Sequence, residues 1–102
     1  MGKRPRISSQ TITVLGAMMA SPASELSGAE IAKHAKLASG TLYPILLRLE
    51  ETGWLKSRWE VGDPTLLGRP RRRFYRITAE GIKNVEQVIR DLTPKAENWA
   101  WR

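Results

Sequence analysis

The 102-residue sequence contains no cysteine and no long apolar run, and it is short of acidic residues. Without cysteine the chain cannot form disulfides, thiolate metal sites or a cysteine nucleophile. No segment approaches the roughly 18 apolar residues of a membrane span, and the N-terminus lacks the apolar region of a signal peptide. We therefore expect a cytoplasmic protein that does not insert into membranes.

The charge balance is strongly positive. Ten Asp and Glu residues stand against 17 Lys and Arg residues, which leaves a formal net charge of +7. Such an excess favours a polyanionic partner, either nucleic acid or an anionic membrane surface. The length allows one domain, and a hydrophobic fraction of 41% is enough for an ordinary core. Because a domain this small buries only roughly 60–70% of its unfolded surface, an apolar element left over will seek a partner subunit.

The first third of the chain predicts two helices. Apolar residues at helical spacing indicate a first helix that Ser8 or Ser9 caps and that ends near Met19 or the residue after it. Ser27 and Glu30 then have the spacing of a capping box, in which each side chain accepts the other residue's backbone N–H. We predict a short second helix from this point.

A third helix follows after a brief turn. Ser39 is its predicted cap, and Gly53 is a plausible left-handed residue at its end. Its core side is predicted from apolar residues at positions i, i+3, i+4 and i+7, which are Leu42, Ile45, Leu46 and Leu49.

The second half of the chain predicts two strands and a last helix. Alternating apolar and polar residues over 54–59 and 71–77 indicate a β-hairpin, and the glycines and prolines of residues 61–70 indicate a loop between its strands. Thr78 caps the last helix, and Pro94 closes it. This order predicts a mainly α fold with a small β-hairpin, namely a winged helix-turn-helix with an additional C-terminal helix.

The domain organisation follows from these elements. Residues 1–8 are predicted to be a basic N-terminal arm, and residues 9–78 a winged helix-turn-helix DNA-binding domain with its wing at about 60–73. Residues 79–102 are predicted to be a C-terminal dimerisation helix and a tail that contains tryptophan.

The third helix is the candidate for the DNA major groove. Recognition helices present their N-terminal residues to base edges, and helix N-termini suit phosphates. Hydroxyl groups and a cation lie on the side away from the core. In the alternative interpretation, Ser39 only caps the helix and Tyr43 packs against the first helix. The residues predicted to contact DNA are Ser39, Gly40, Thr41, Tyr43, Pro44 and Arg48.

The wing carries the strongest electrostatic signal. Residues 68–77 contain five arginines and no acid, and like charges so close together repel one another. An anionic partner offsets that cost because phosphate binding releases counterions. The alternatives are a solvated basic face, or pairing of Arg73 and Arg76 with the acids at 50, 51 or 60. The wing residues predicted to contact DNA are Arg69, Arg71, Arg72 and Arg73.

The last helix has more apolar surface than the small domain can cover, which predicts a homodimer. The tryptophans at 99 and 101 could fold back onto their own subunit, contact the partner or stack on a flat aromatic ligand, and these alternatives stay open. The residues predicted to form the dimer contact are Ile12, Leu15, Met19, Ile82, Val85, Ile89, Leu92 and Trp99.

Catalytic and metal chemistry find no support in the sequence. His34 is the single histidine and has no second ligand candidate nearby. No Ser–His–Asp arrangement and no glycine-rich phosphate loop is evident. We therefore predict a protein that is not an enzyme and that needs neither a metal nor a cofactor.

Four segments together resemble a known family. Residues 39–50 (SGTLYPILLRLE), 53–55 (GWL), 68–71 (GRPR) and 74–81 (FYRITAEG) look like the PadR family of transcriptional regulators, and the resemblance covers roughly residues 12–92. It implies a dimeric winged-helix repressor of the bacterial cytoplasm. It also implies that Thr41 to Pro44 opens the recognition helix, that the wing reaches phosphates or the minor groove, and that first and last helices dimerise.

Some members of the family release DNA when they bind phenolic acids or drug-like aromatics, so the resemblance adds a small aromatic effector to the expected partners. Two features depart from the family pattern. The sequence continues only briefly after the last helix, as in the short subfamily, and Leu47 occupies an outward position where a polar residue would be unsurprising. A leucine there could touch a thymine methyl group or be covered by packing.

The predicted function is sequence-specific binding of double-stranded DNA, as a homodimeric repressor on a pseudo-palindromic operator. Two alternatives remain. The winged helix could serve as a protein–protein interaction module, for which an arginine-rich wing is poorly suited, or the chain could be an aromatic-ligand sensor with weak DNA specificity.

Overall fold

The computed structural model of the chain describes residues 7–92. The helices and strands within this range are α1 Ser9–Met19, β1 Leu26–Ser27, α2 Gly28–Ala35, α3 Ser39–Glu51, β2 Leu55–Trp59, α4 Pro64–Leu67, β3 Arg73–Ile77 and α5 Ala79–Leu92. The predicted winged helix-turn-helix with an additional C-terminal helix is confirmed.

The first two helices begin with the side-chain caps that the sequence predicts. Ser8 Oγ accepts the backbone N–H of Thr11 at 3.1 Å, which identifies Ser8 as the cap of α1. At α2, Ser27 Oγ accepts the Glu30 N–H at 3.1 Å, and the Glu30 carboxylate accepts the Ser27 N–H at 2.8 Å. The capping box is confirmed, and these hydrogen bonds lower the pKa of Glu30 because they favour its ionised form.

The predicted cap of α3 is wrong by one residue. Ser39 is the first residue of the helix, and Ala38, with extended backbone angles of φ −69° and ψ 152°, is the N-cap. Because alanine has no side-chain oxygen, no side-chain hydrogen bond caps this helix. The first N–H groups of α3 are therefore not taken up by a capping side chain.

The sheet has a strand that the sequence analysis missed. Leu26 lies opposite Tyr75 and Ser27 opposite Phe74, so β1 adds to the predicted hairpin and gives an antiparallel sheet of order β1-β3-β2. A two-residue strand is too short to show an alternating pattern, because alternation needs about four residues to be recognised.

The segment between β2 and β3 is more ordered than the predicted loop. We call residues 60–73 the wing. It contains the helical turn α4, which Asp63 caps through a 2.9 Å hydrogen bond from the Thr65 N–H, and which ends at Gly68 with a left-handed φ of 71°. The following strand begins at Arg73 and not at residue 71. No residue of α4 is buried, so polar contacts and not a core hold this turn.

The core lies between the helices and the inner face of the sheet. The apolar side of α3 is fully buried there as predicted, together with residues of α1, α2, β2, β3 and α5. α3 contributes four side chains to it, and these are Leu42, Ile45, Leu46 and Leu49.

The start of α5 packs closely against the residues between α3 and β2. Thr78 Oγ1 accepts the Gly81 N–H at 2.9 Å, which confirms Thr78 as the predicted cap of the last helix. Gly81 packs on the carbonyl group of Trp54, and a Cβ atom at position 81 would lie only 2.9 Å from the Ile77 side chain. Glycine is required at this position because the two backbones approach so closely.

Candidate nucleic-acid interface

α3 presents the predicted DNA-contacting residues on the side opposite the core. Ser39, Gly40, Tyr43, Pro44 and Arg48 are exposed, and Thr41 is half-buried. Leu47 is 57% exposed, so no packing within the described residues covers this outward leucine. The exposed side of α3 combines hydroxyl groups, a cation and an apolar side chain, which is the mixture that reads base edges in a major groove.

The Tyr43 ring lies against the start of α2, where a Cβ atom at Gly28 would lie 2.9 Å from Tyr43 Cζ. Gly28 thus makes room for the tyrosine, and the sequence offered no signal for this pairing because the two residues lie 15 positions apart. Tyr43 remains 45% exposed beside the N-terminus of α2.

At the end of the sheet, the wing is joined to β2 by a glutamate. The two carboxylate oxygens of Glu60 accept hydrogen bonds from both terminal nitrogens of Arg69, at 2.7 and 2.9 Å. Glu60 Oε1 also accepts the backbone N–H of Arg72 at 3.1 Å. Together these donors lower the pKa of Glu60 to about 2, with the Arg69 hydrogen bonds as the largest cause.

Arg73 is the first residue of β3, and its side chain is held against residues of β2. Its guanidinium lies 4.9 Å from the centre of the Trp59 ring, and its Nε donates to Ser57 Oγ at 3.1 Å. The predicted alternative of an acidic partner is met by Glu50, 3.6 Å from Arg73. Stacking and pairing of this kind fix the guanidinium in place.

The other arginines of this segment differ in how firmly they are held. Arg71 donates its Nε to the Gly62 carbonyl at 2.6 Å, and both its side chain and that of Arg72 are exposed. Arg72 forms no side-chain hydrogen bond within residues 7–92, although the carboxylates of Glu30 and Glu60 attract it at longer range. These two cations are the most accessible in the wing.

α3, α2 and the wing enclose one cleft of about 540 Å³. Its lining includes Tyr43, the first residues of α2, and Arg69, Arg71, Arg72 and Arg73 of the wing. The fold therefore brings all four predicted wing residues to one surface groove with Tyr43, whereas the other predicted residues of α3 do not line that groove.

A second, apolar groove lies between α1 and α5. It has a volume of about 120 Å³, and Ile12 and Ile89 on its rim are 45% and 51% exposed. Leu15 and Val85 also line it, but both are buried in the chain's own core. Of the other predicted dimer residues, Met19 and Ile82 are half-buried. Trp99, the side chain of Leu92 and residues 1–6 of the arm lie outside the part of the chain that the structure describes.

Two residues of the interface, Gly28 and Trp59, escaped the sequence analysis. Glu60 was considered there as a partner of Arg73 or Arg76, but its carboxylate pairs with Arg69 instead. Trp59 was counted only as a strand residue, yet it is 57% exposed. No group of three potential metal-ligating residues occurs within residues 7–92, and no helix there could cross a membrane.

Comparison with known proteins identifies the family. The model of the transcriptional regulator PadR-like family matches residues 16–87. No curated protein sequence matches the chain.

Solved structures share the fold at 16–24% identity. A PadR family transcriptional regulator from Eggerthella lenta has a TM-score of 0.65 and is 24% identical, with 85% of this chain and 77% of that one covered. Bacillus subtilis PadR in complex with operator DNA has a TM-score of 0.64 and is 20% identical, with 80% and 48% covered.

An S. aureus MepR mutant bound to an oligodeoxyribonucleotide has a TM-score of 0.76 and is 21% identical, with 94% of this chain covered. The chain spans about 65% of the length of that protein. Members of the matched family are DNA-binding transcriptional regulators and not enzymes. The family match covers well over half of the sequence, and the chain therefore belongs to the PadR-like family of transcriptional regulators.

Proposed function

We propose that this regulator is a repressor that binds a pseudo-palindromic operator as a homodimer, with α3 in the major groove and the wing against phosphates or the minor groove. The observation that supports the proposal is the shared cleft, because exposed Tyr43 of α3 and the arginines of the wing line it together. A recognition helix with basic residues beside it can read bases and hold the backbone at once.

Charge supports the same assignment. Within residues 7–92, no carboxylate contacts the exposed side chains of Arg71 and Arg72, and the chain as a whole carries +7. Exposed arginines without a carboxylate partner gain the most free energy from phosphate binding, because that binding releases the counterions condensed on DNA. The proposed site of action is the cytoplasm, since that is where a bacterial repressor meets DNA.

The homodimer rests on the groove between α1 and α5. Ile12 and Ile89 are exposed apolar residues on the rim of one continuous apolar surface. A second copy would cover this surface by a symmetric contact and would place two α3 helices about one turn of DNA apart, roughly 34 Å. A small aromatic effector remains a prediction, because Trp99 lies beyond residues 7–92.

One observation favours a second candidate, a protein–protein interaction module. Val61 and Leu66 on the wing are each 87% exposed, so the wing is less purely basic than its arginines suggest. Exposed apolar side chains mark a protein contact where they form one contiguous patch, and these two lie on the same short segment.

A salt-dependent titration distinguishes the two. The protein is titrated with the upstream region of its own gene and with a scrambled duplex of equal length. Preference for the upstream DNA by a factor of about 1,000 or more is expected for a specific regulator. Absence of binding to either duplex at low salt would contradict the repressor and favour the protein contact. Sedimentation of the complex then gives the number of chains on the duplex, for which we expect two.

A further inference from the structure

Glu60 lies at the point where the chain leaves β2 and enters the wing, and it contacts both ends of that segment. Its backbone N–H donates to the Arg72 carbonyl at 2.7 Å, and its carboxylate accepts the Arg72 N–H at 3.1 Å. The same carboxylate holds Arg69 through two hydrogen bonds. One side chain therefore ties the outgoing strand to the returning one and to the residue after α4.

Few other contacts hold the wing. α4 buries no residue, so hydrophobic burial contributes little to its position. Asp63 caps α4 and Arg71 donates to Gly62, but neither contact includes a residue next to the sheet, whereas Glu60 directly follows the last residue of β2. A bidentate arginine–carboxylate pair has a defined geometry, and it can set the direction of the wing relative to the sheet.

The arginines of the wing consequently divide into two kinds. Arg69 donates hydrogen bonds from both terminal nitrogens to Glu60, and Arg73 is stacked on Trp59. Arg71 and Arg72 leave their guanidinium groups toward solvent, and the residue that accepts the Arg72 N–H is again Glu60. The first kind shapes the wing, and the second kind is available to an anion.

We propose that Glu60 is a positioning residue for DNA binding, which acts through Arg69 and the Arg72 backbone to present Arg71 and Arg72 to phosphate. This inference rests on the proposed function. It predicts that removal of the Glu60 charge changes DNA affinity in the direction opposite to that expected from simple electrostatics. Removing a negative charge beside phosphate-binding arginines should tighten DNA binding by Coulomb attraction alone, whereas loss of a positioning residue weakens it.

The experiment compares Glu60→Gln and Glu60→Ala with wild type. Glutamine keeps an oxygen that can accept the Arg72 N–H but loses the ion pair, whereas alanine loses both. We expect DNA affinity to fall about threefold to fivefold for Glu60→Gln and about tenfold for Glu60→Ala. The plot of log affinity against log salt should also become flatter, because fewer phosphates are contacted.

Glu51→Gln is the matched control. Glu51 is an exposed carboxylate at the end of α3, and it forms no hydrogen bond or ion pair within residues 7–92. Its removal deletes the same charge without touching the wing, so binding should be unchanged or slightly tighter. Melting temperatures of all variants close to that of wild type would show that the fold is intact.

A measurement without DNA separates this inference from the function on which it rests. Amide hydrogen exchange by NMR reports the Arg72 N–H directly, and we expect its protection to fall in Glu60→Ala while the Glu51→Gln value stays at that of wild type. Glu60 variants that bind DNA as tightly as wild type, or that keep full Arg72 protection, would overturn the positioning role. If wild type binds no DNA but Arg72 loses protection, the DNA-binding function fails while Glu60 still holds the wing.

Discussion

α3, through Tyr43, and the wing line one cleft, but different forces hold the two elements in place. α3 buries four large apolar side chains in the core, whereas the helical turn of the wing buries none and depends on hydrogen bonds and ion pairs. Apolar burial depends little on salt and pH, while exposed contacts between carboxylates and arginines weaken at high salt and at low pH. The position of α3 is thus set by folding, and that of the wing by charges that the solvent can reach.

The largest expected contrast comes from one substitution made in both regions. Leu46→Ala in α3 removes a side chain that is 1% exposed, and it should lower the free energy of unfolding by about 2–5 kcal/mol. Leu66→Ala in the wing, where leucine is 87% exposed, should change it by no more than about 0.5 kcal/mol. Denaturant titration measures both, and similar losses would show that the wing is held by burial after all.

The second contrast concerns DNA. The double variant Arg71→Ala with Arg72→Ala should weaken binding to every duplex, and it should flatten the salt dependence by about 0.9 for each phosphate that the wing no longer neutralises. As a control, Arg76→Ala with Lys83→Ala removes the same charge from residues outside the cleft. If the Arg71→Ala and Arg72→Ala variant has the same salt slope as wild type, Arg71 and Arg72 do not touch phosphate.

The third test addresses Tyr43, the residue through which α3 lines the cleft. Tyr43→Ala should reduce affinity for the operator more than affinity for a scrambled duplex, because a side chain on the exposed face of the helix reads sequence and not only charge. Parallel titrations of the two duplexes give the ratio. An equal loss on both would place Tyr43 among the residues that only support the backbone.

The smallest effect is expected from pH. The pKa of Glu60 is lowered from 4.5 to about 2 in the folded chain. A lowered folded-state pKa means that the ionised group stabilises the fold above pH 4.5, and that this contribution is lost as the pH falls toward 2. Wild type should therefore lose slightly more stability than Glu60→Gln between about pH 5 and pH 2. Parallel acid titrations of unfolding that coincide would contradict the pairing with Arg69.

Local signals in the sequence predicted most of the fold. The capping box at Ser27 and Glu30, the cap at Thr78 and the apolar side of α3 depend on residues three or four positions apart, so the pattern is visible without the fold. The cap of α3 was misplaced because a serine beside an alanine looks like the better acceptor. The backbone angles, which the sequence does not display, put Ala38 there instead.

What the sequence determined by itself is the charge, the order of the four main helices and the two hairpin strands, and the family, since these reside in composition and in short motifs. What only the tertiary structure decided is which residues meet across long separations. β1 pairs with the distant β3, Gly28 makes room for Tyr43, and Glu60 pairs with Arg69 and not with the other arginines near it in sequence. The physical reason is that an ion pair or a close backbone approach depends on distance in space, and five similar arginines become different only after the sheet has placed them.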